Sequence, residues 1–227
     1  MKIAVLGTGV VGQTLAAKLA DLGHTVVVGT RDPEAARSRT EPDRYGRPGL
    51  GAWLADHAEV TLATLTEAAV ASDVIFNATS GDATVAAVTA AGVDNLADKV
   101  LVDVSNPLDM SHGFPPQLFV KDTDSLAEQL QRAAPRAKVV KTLNTMNASI
   151  MVDPGQVGAG DHTVFMSGDD ADAKSIVAEL LRSFGWLDIL DLGDLSTARG
   201  PELYLGFWVR LLPVTGGHGA FNIKIVR

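Results

Sequence analysis

A glycine-rich run near the start of the chain has the residue types and spacing that hold the pyrophosphate of a dinucleotide. The run reads Gly7-Thr8-Gly9-Val10-Val11-Gly12. It follows an apolar stretch at 2–6 and precedes a helical pattern at 10–23. In such a loop the first glycine permits a tight turn, the second lets the backbone approach the phosphates, and the third lets the helix pack closely. Although a glycine turn can bind nothing, this strand–turn–helix context predicts that residues 7–12 bind a pyrophosphate at a helix amino terminus.

The choice between the two nicotinamide dinucleotides depends on the end of the second strand. NAD sites place a carboxylate there for the ribose hydroxyl, whereas this chain has Thr30 and Arg31. A hydroxyl and a planar guanidinium suit a 2′-phosphate, with a solvated surface charge as the alternative for Arg31. The adjacent Asp32-Pro33-Glu34 is typical of a helix cap with proline in the first turn. We therefore predict an NADP(H) site, to which Arg37 contributes more weakly.

The elements that must position these residues alternate along the chain. Strands are predicted at 2–6, 25–29, 60–63, 74–78, 100–104, 139–143, 163–167 and 187–190, and helices at 10–23, 65–72, 83–91, 125–134, 171–184 and 201–212. Residues 31–50 predict a turn, a short helix and a loop, residues 105–117 an irregular segment, and residues 221–226 an extended tail. The alternation indicates an α/β fold, a Rossmann doubly wound and mostly parallel sheet. We predict a dinucleotide-binding domain at 1–195 and a short helical cap with a tail at 196–227.

Composition excludes several kinds of chemistry and of partner. The chain has no cysteine, which excludes disulfides, thiolate catalysis and cysteine-ligated metals. Its formal net charge of −8 gives no electrostatic reason to bind nucleic acid or an anionic membrane. No apolar run approaches the roughly 20 residues that span a bilayer, and the first residues are too short for a signal-peptide core. We therefore expect a soluble, cytoplasmic protein.

The histidines do not form a catalytic or metal-binding set. All five (His24, His57, His112, His162 and His218) fall at turns or at the edges of predicted elements, without ligand spacing. We therefore expect surface or turn histidines, no metal site and no catalytic acid, base or nucleophile. This inventory suits hydride transfer between two stacked rings, because that reaction needs positioning rather than reactive side chains.

Several stretches resemble the NADP oxidoreductases that depend on the deazaflavin coenzyme F420. The glycine run is joined by Leu22-Gly23-His24, Val28-Gly29-Thr30-Arg31, residues 143–148, Ser167-Gly168-Asp169-Asp170 and Phe221-Asn222-Ile223-Lys224. The resemblance extends over nearly the whole chain. It implies reversible hydride transfer between NADP(H) and F420, performed by a homodimer of a Rossmann domain with a short cap.

The resemblance also implies roles for individual residues. Thr8, Gly9, Val10 and Val11 would line the pyrophosphate, Thr30 and Arg31 the 2′-phosphate, and Thr79, Ser80 and Ala148 the nicotinamide. The deazaflavin would lie over Asn106, Pro107 and Asn147, with Phe221 folding back on it. The chain departs from the family pattern at Ala35, where a basic residue is common. For Asn144 and Asn147, capping of strand ends is the alternative, and Asp169-Asp170 predicts a helix N-cap without further function.

Three other functions stay open at this point. β-Hydroxyacid dehydrogenases and pyrroline-carboxylate reductases share the opening motif, but about 30 residues follow Thr197, too few for their helical domain. An NADPH-dependent flavin or ferric reductase, like the soluble domain of the membrane-anchored metalloreductases, would use the same pocket. A non-catalytic NADPH sensor would equally lack acid and base residues. Turnover with a two-electron acceptor separates the sensor from the enzymes.

Overall fold

A computed structural model of the chain describes residues 1–42 and 46–227. The strands are β1 (Lys2–Leu6), β2 (Thr25–Thr30), β3 (Thr61–Thr64), β4 (Val74–Asn77), β5 (Val100–Asp103), β6 (Leu108–Asp109), β7 (Gln117–Leu118), β8 (Lys138–Thr142), β9 (Thr163–Gly168) and β10 (Asp188–Asp191). The helices are α1 (Val10–Asp21), α2 (Pro33–Arg37), α3 (Leu50–Asp56), α4 (Leu65–Ala71), α5 (Thr84–Ala91), α6 (Leu126–Ala133), α7 (Ala148–Val152), α8 (Ala171–Phe184) and α9 (Arg199–Leu211).

Eight of the strands form one mostly parallel sheet, which confirms the predicted fold class. Its order is β10-β9-β8-β5-β4-β1-β2-β3. Six neighbouring strands of this sheet, β8, β5, β4, β1, β2 and β3, are parallel to one another, as expected for strands joined by helical crossovers. Strand β9 runs antiparallel to β8, and β10 is parallel to β9. Met166 pairs with Thr142, so Thr163 at the amino end of β9 lies beyond the carboxyl end of β8.

The core consists of two apolar clusters separated by the sheet. Side chains alternate along β1, so that Ile3 and Val5 join one cluster while Ala4 and Leu6 join the other. Trp186 closes the first cluster; it is 1% exposed, and its Nε1 donates to the carbonyl of Met151 at 2.9 Å. Burying one such large apolar side chain contributes about 1.5–3 kcal/mol to the stability of the fold.

The segment predicted to be irregular, 105–117, and the segment predicted as a turn, a short helix and a loop, 31–50, both lead into short elements that were not predicted. Residues 105–117 lead through the β6–β7 hairpin, which is antiparallel. The segment 31–50 contains the predicted short helix, α2, and leads into α3, which the sequence pattern did not indicate; its part at residues 43–45 lies outside the described residues. Both additions are too short to show a helical or strand period.

The last part of the chain packs across the carboxyl edge. Helix α9 follows a short 3-10 turn at Leu195–Ala198 and packs against β7. The tail beyond Gly216 has no regular secondary structure, but it pairs with β9: Thr163 N donates to the carbonyl of Ile223 at 2.9 Å. Among the described residues, no helix is long and apolar enough to cross a membrane.

Candidate functional site

The glycine run forms the turn between β1 and α1 with the geometry that the motif predicts. Gly7 has a φ of +119°, and a Cβ there would lie 2.6 Å from the carbonyl oxygen of Ala78. A Cβ on Gly12 would lie 2.1 Å from the carbonyl oxygen of Gly7. Helix α1 therefore lies so close to the turn that only glycine fits at position 12. At Gly9 a Cβ would meet nothing within 4 Å. The loop therefore presents open backbone at Gly9 and closed packing on either side.

This open backbone is one wall of a cleft of about 590 Å³ at the carboxyl edge of the sheet. The volume lies in the range of ordinary ligand pockets. The predicted residues that line it are Gly7, Thr8, Gly9, Thr30, Arg31, Thr79 and Ser80. Val10 and Val11 begin α1 outside this lining; Val10 is exposed, and Val11 packs against the first apolar cluster. Any contact of these two valines with a phosphate would therefore use their backbone N–H groups.

Within residues 1–42 and 46–227, the wall expected to hold a 2′-phosphate carries two guanidinium groups. Arg31 is exposed at the end of β2, and Asp32 beside it caps α2, accepting from the backbone N of Ala35 at 3.0 Å. The second group belongs to Arg39, whose Nη2 donates to Oγ1 of Thr8 at 3.0 Å. Arg39 and Ala35 line the cleft, whereas Arg37 is absent from its described lining. The supporting role predicted for Arg37 is therefore better filled by Arg39.

Two glycines at the start of α3 place Arg39. Gly51 N donates to the carbonyl of Arg39 at 2.8 Å, and a Cβ on Gly51 would lie 2.0 Å from the carbonyl oxygen of Arg37. A Cβ on Gly49 would lie 2.4 Å from the carbonyl oxygen of Arg39. This close backbone approach holds Arg39 opposite Thr8. The spacing of the two glycines is a signal in the sequence, but it does not reveal which segment they pack against.

The turn after β4 forms the other end of the cleft. Thr79 Oγ1 donates to Oδ1 of the fully buried Asn77 at 2.7 Å and lies 3.0 Å from Oγ1 of Thr84. These bonds fix the Thr79 side chain at the cleft. Just beyond it, a Cβ on Gly81 would lie 2.0 Å from the carbonyl oxygen of Asn106. The turn predicted to flank the nicotinamide is therefore in contact with the turn predicted to carry the second ring.

Asn106 is held by a reciprocal pair of amide hydrogen bonds. Its Nδ2 donates to the carbonyl of Asn144 at 2.8 Å, and Nδ2 of Asn144 donates back to Oδ1 of Asn106 at 2.9 Å. Asn144 Nδ2 also donates to the carbonyl of Pro201 in α9 at 3.1 Å. Asn144 thus joins the turn after β5 to the first turn of the cap helix.

The remaining predicted residues meet around the other end of α9. Asn147 is the N-cap of the helix α7 and not the cap of a strand end, and its Nδ2 donates to the carbonyl of His218 at 2.9 Å. Phe221 stacks on Trp208 with ring centroids 5.4 Å apart. Ala148 is 7% exposed in the first turn of α7 and does not line the described cleft. Trp208 was not among the predicted site residues, because nothing in the sequence distinguished it from the other apolar residues of its helix.

Two polar atoms on the cap helix are buried without a partner. Tyr204 Oη and Trp208 Nε1 have no hydrogen-bond partner in the described part of the chain. Burial raises the pKa of Tyr204 further above its ordinary value. A phenol is already protonated at neutral pH, so this hydroxyl can donate a hydrogen bond. Unsatisfied donors of this kind are uncommon in folded proteins.

The tail that carries Phe221 is fixed to β9 through a buried histidine. His162 was expected to be a surface or turn residue. It lies in the bend before β9, but it is 3% exposed because Trp186 packs against its ring and the tail covers it. Its Nε2 lies 2.9 Å from the carbonyl oxygen of Pro154, which can only accept, so Nε2 carries the proton. Nδ1 then accepts from Nδ2 of Asn222 at 2.8 Å. Phe221 is thereby anchored by its neighbour.

A second cavity, of about 620 Å³, lies between α6 and the turn before α8. Its charged side chains already have partners: Glu128 accepts from Nη2 of Arg199 at 2.6 Å, and Asp169 accepts from the backbone N of Leu195 at 2.9 Å. Asp170, beside it, is the N-cap of α8, as predicted. Because these side chains are already hydrogen-bonded within the protein, the glycine-loop cleft is the better candidate site.

Comparison with known proteins identifies the family. A family model described as NADP oxidoreductase, coenzyme F420-dependent, matches residues 2–107. The F420-dependent NADP reductase of Methanothermobacter thermautotrophicus is 30% identical over 206 residues, which cover 88% of this chain and 84% of that protein. The chain belongs to the F420-dependent NADP oxidoreductase family. Membership makes it an oxidoreductase enzyme, as the resemblance implied.

Two further relatives bear on its function. A solved structure of a candidate F420-dependent NADP reductase from Arthrobacter sp. FB24 is 56% identical, with a TM-score of 0.95 and full coverage of both chains. The metalloreductase STEAP3 of Rattus norvegicus is 34% identical over 214 residues, which cover 93% of this chain. The present chain spans only 37% of the length of that metalloreductase.

Proposed function

We propose that this enzyme transfers hydride reversibly between NADP(H) and the deazaflavin coenzyme F420. NADPH gives up a hydride, which carries two electrons, and the deazaflavin takes it up together with one proton from water. The protein supplies no nucleophile, metal or reacting side chain in this proposal. Its contribution is to bring the two rings together and hold them at close range.

The cleft supports the NADP(H) half of the proposal. Gly7, Gly9 and Gly12 form a loop whose open backbone can accept a pyrophosphate, with Thr8 beside it. Thr30, Arg31 and Arg39 offer one hydroxyl and two guanidinium groups to a 2′-phosphate. Thr79 and Ser80 would flank the nicotinamide. Ala148 stays a predicted neighbour of that ring.

The cap supports the deazaflavin half. Asn106, Pro107 and Asn147 would lie beneath the ring, and Phe221 would cover it from the tail. The unpaired Tyr204 Oη and Trp208 Nε1 add two donors for a ring system that is rich in carbonyl oxygens and nitrogens. The observation that carries the proposal is the backbone contact between Gly81 and Asn106, because it joins the nicotinamide end of the cleft to the second-ring side.

The proposal extends to assembly and location. Residues 196–227 would act as a cap on a dinucleotide-binding domain at 1–195. Leu203 and Phe207 on α9 are exposed beside the β6–β7 hairpin, whose Phe114 is also exposed. Exposed apolar patches of this kind commonly mark an interface, and this one would form a homodimer. The enzyme would act in the cytoplasm on small coenzymes, without nucleic acid or membrane partners.

The deciding experiment follows the deazaflavin absorbance as NADPH is added to the pure protein. FMN, FAD and a ferric chelate serve as parallel acceptors. The proposal expects loss of oxidised F420 in proportion to enzyme, and recovery when F420H2 is mixed with NADP⁺. If NADPH binds tightly but no acceptor is reduced, the proposal fails and the NADPH sensor is favoured.

Variants on the second-ring side test where the deazaflavin binds. Phe221→Ala and Asn147→Ala should raise the KM for F420 by about 5-fold, since each removes a stacking or amide contact worth about 1 kcal/mol. Neither should change the Kd of NADPH. Val70→Ala, an exposed apolar position on α4, is the control and should change neither quantity. Equal losses for both coenzymes would contradict the placement.

A second candidate function is an NADPH-dependent flavin or ferric reductase. It is favoured by the 34% identity to the rat metalloreductase. In the acceptor assay this candidate predicts reduction of FMN, FAD or the ferric chelate while F420 stays oxidised. The cleft would then keep its role and only the second ring would differ.

A further inference from the structure

Three charged side chains are buried together beneath the cap, outside the two ring sites. Lys141 Nζ donates to Oδ2 of Asp103 at 2.7 Å and lies 2.8 Å from Oε1 of Glu202. Its third donor goes to the carbonyl of Ser105 at 2.6 Å. The side chains of Lys141 and Asp103 are fully buried, and that of Glu202 is 3% exposed. Every proton of the ammonium group therefore has an acceptor.

Stability alone is a poor explanation for this network. Moving ions out of water costs several kcal/mol per ion, and well-packed apolar residues are often as stable or more so. Burial lowers the pKa of Lys141, but the attraction of Asp103 and Glu202 outweighs it, so the net shift is upward and the lysine stays charged. Burial raises the pKa of Glu202. What such a network supplies is a fixed arrangement of the elements that bear the charges.

Glu202 fixes the cap helix in two directions. Its Oε2 accepts from the backbone N of Leu126 at 2.8 Å and its Oε1 from that of Ala127 at 3.2 Å, both in the first turn of α6. The same carboxylate pairs with Lys141 on β8. One side chain of α9 thus binds a helix amino terminus on one side and a strand on the other. Rotation or sliding of α9 would break one of the two.

Asp103 fixes the turn that follows β5. Its Oδ1 accepts from the backbone N of Ser105 at 3.1 Å and from Oγ of Ser105 at 2.8 Å. It also accepts from Nδ2 of Asn77 at 2.8 Å, and Asn77 in turn holds Thr79 at the cleft. The network therefore touches the turns that precede both predicted ring sites.

We propose that Lys141 and Glu202 are positioning residues, which set the separation of the two rings by holding α9 against the turn at 105–107. This inference rests on the proposed hydride transfer. Neither residue needs to touch a coenzyme. Their effect reaches the second ring through Ser105 on one side and through the cap helix, with Pro201 and Trp208, on the other.

The test uses Glu202→Gln, because it leaves Lys141 and Asp103 as a balanced ion pair and keeps the side-chain shape. Glutamine has one acceptor oxygen in place of two. If that oxygen keeps the contacts of Oε1 with Lys141 and Ala127, the glutamine NH2 faces the backbone N–H of Leu126 and leaves this donor without a partner. Since a misplacement by about 1 Å can cost on the order of 100-fold, we expect kcat/KM for F420 to fall about 10- to 100-fold. The Kd of NADPH should change by less than about 2-fold, because a direct phosphate contact is left intact.

Lys174→Met is the matched control. Lys174 also joins a helix to a strand end, donating to Asp191 at 3.0 Å, but it lies at the outer edge of the sheet. The Lys174→Met variant should have a lower melting temperature than the wild-type protein and an unchanged kcat/KM for F420. If Glu202→Gln fails to bind NADPH and does not fold, the neutral triple variant with Lys141→Met, Asp103→Asn and Glu202→Gln replaces it, with the same expected loss.

Two results would overturn the inference, and they are distinguishable. If wild-type protein reduces F420 and a folded network variant matches it in KM and kcat, the residues position nothing. If wild-type protein reduces no acceptor, the proposed function fails, and the inference fails with it. Selective loss of F420 turnover with intact NADPH binding supports the inference, since a merely structural role would lower both together.

Discussion

Replacing Arg31 with alanine should weaken the binding of NADPH and leave that of NADH nearly unchanged. Arg31 lines the cleft at the end of β2, where NAD sites carry a carboxylate. Losing a charge-assisted contact to a phosphate costs about 1.5–3 kcal/mol, or about 10- to 100-fold in affinity. Because Arg31 is exposed, solvent and salt screen the contact, so we expect the lower end, about 10-fold.

Arg39→Ala should have a smaller effect in the same direction. Before Arg39 can grip a phosphate it must give up its bond to Thr8, which is exposed and worth about 0.5–1.5 kcal/mol. The difference leaves about 1 kcal/mol, or about 5-fold in affinity. Arg37→Ala is the control, because Arg37 stands in the same segment but is absent from the described lining of the cleft.

Fluorescence titration with both dinucleotides measures these changes directly. Each variant is titrated with NADPH and with NADH, and the ratio of the two Kd values is compared with that of wild-type protein. Equal losses for NADPH and NADH in Arg31→Ala would refute the 2′-phosphate role. An Arg37→Ala effect as large as that of Arg39→Ala would refute the assignment of the second guanidinium.

The other predictions concern the loop, the assembly and the response to acid. Gly9→Val should keep the circular dichroism spectrum and abolish NADPH binding, since the valine side chain would enter the open cleft. Retained affinity for NADPH would show that the cofactor does not bind at this loop. Sedimentation should show twice the 23.8 kDa of one chain, and Phe207→Asp should yield monomers; a monomeric wild-type protein at micromolar concentration contradicts the interface. Hydrogen bonds from Arg132 and Thr163 lower the pKa values of Asp124 and Asp188 below their ordinary 3.8. The unfolded state then binds more protons at low pH, so the free energy of unfolding should keep its full value above about pH 4 and decrease as the pH falls further. Urea denaturation that shows no such decrease contradicts this prediction.

Much of the parallel half could be predicted because its signals are local. Each apolar, β-branched run from 2–6 to 139–143 became a strand within about two residues of the expected bounds. Leu143 shows why such ends are uncertain: it continues the apolar pattern but has a φ of +61°, outside the strand. The antiparallel direction of β9 could not be predicted, since an apolar run has the same pattern in either direction.

The side chains that hold the site together could be predicted less well. Lys141 interrupts an apolar strand, which is a signal of a buried polar group, but its partners Asp103 and Glu202 are far away in the chain. The position of Arg39 at the cleft likewise depends on a contact between distant residues, the packing of its backbone against the start of α3. Motifs of consecutive residues therefore located the cleft, whereas contacts between distant segments decided which side chains complete it.

The reversal of β9 determines what can be exchanged between relatives. Because β9 is antiparallel, its Thr163 lies at the same edge as the carboxyl ends of the parallel strands and holds the tail there. A parallel strand of this length would carry that residue about 20 Å away, to the opposite edge. A chimera that joins residues 1–142 to the second half of another Rossmann protein would keep the glycine loop. It would lose the attachment of the tail that carries Phe221, unless the donor strand that pairs with β8 is also antiparallel.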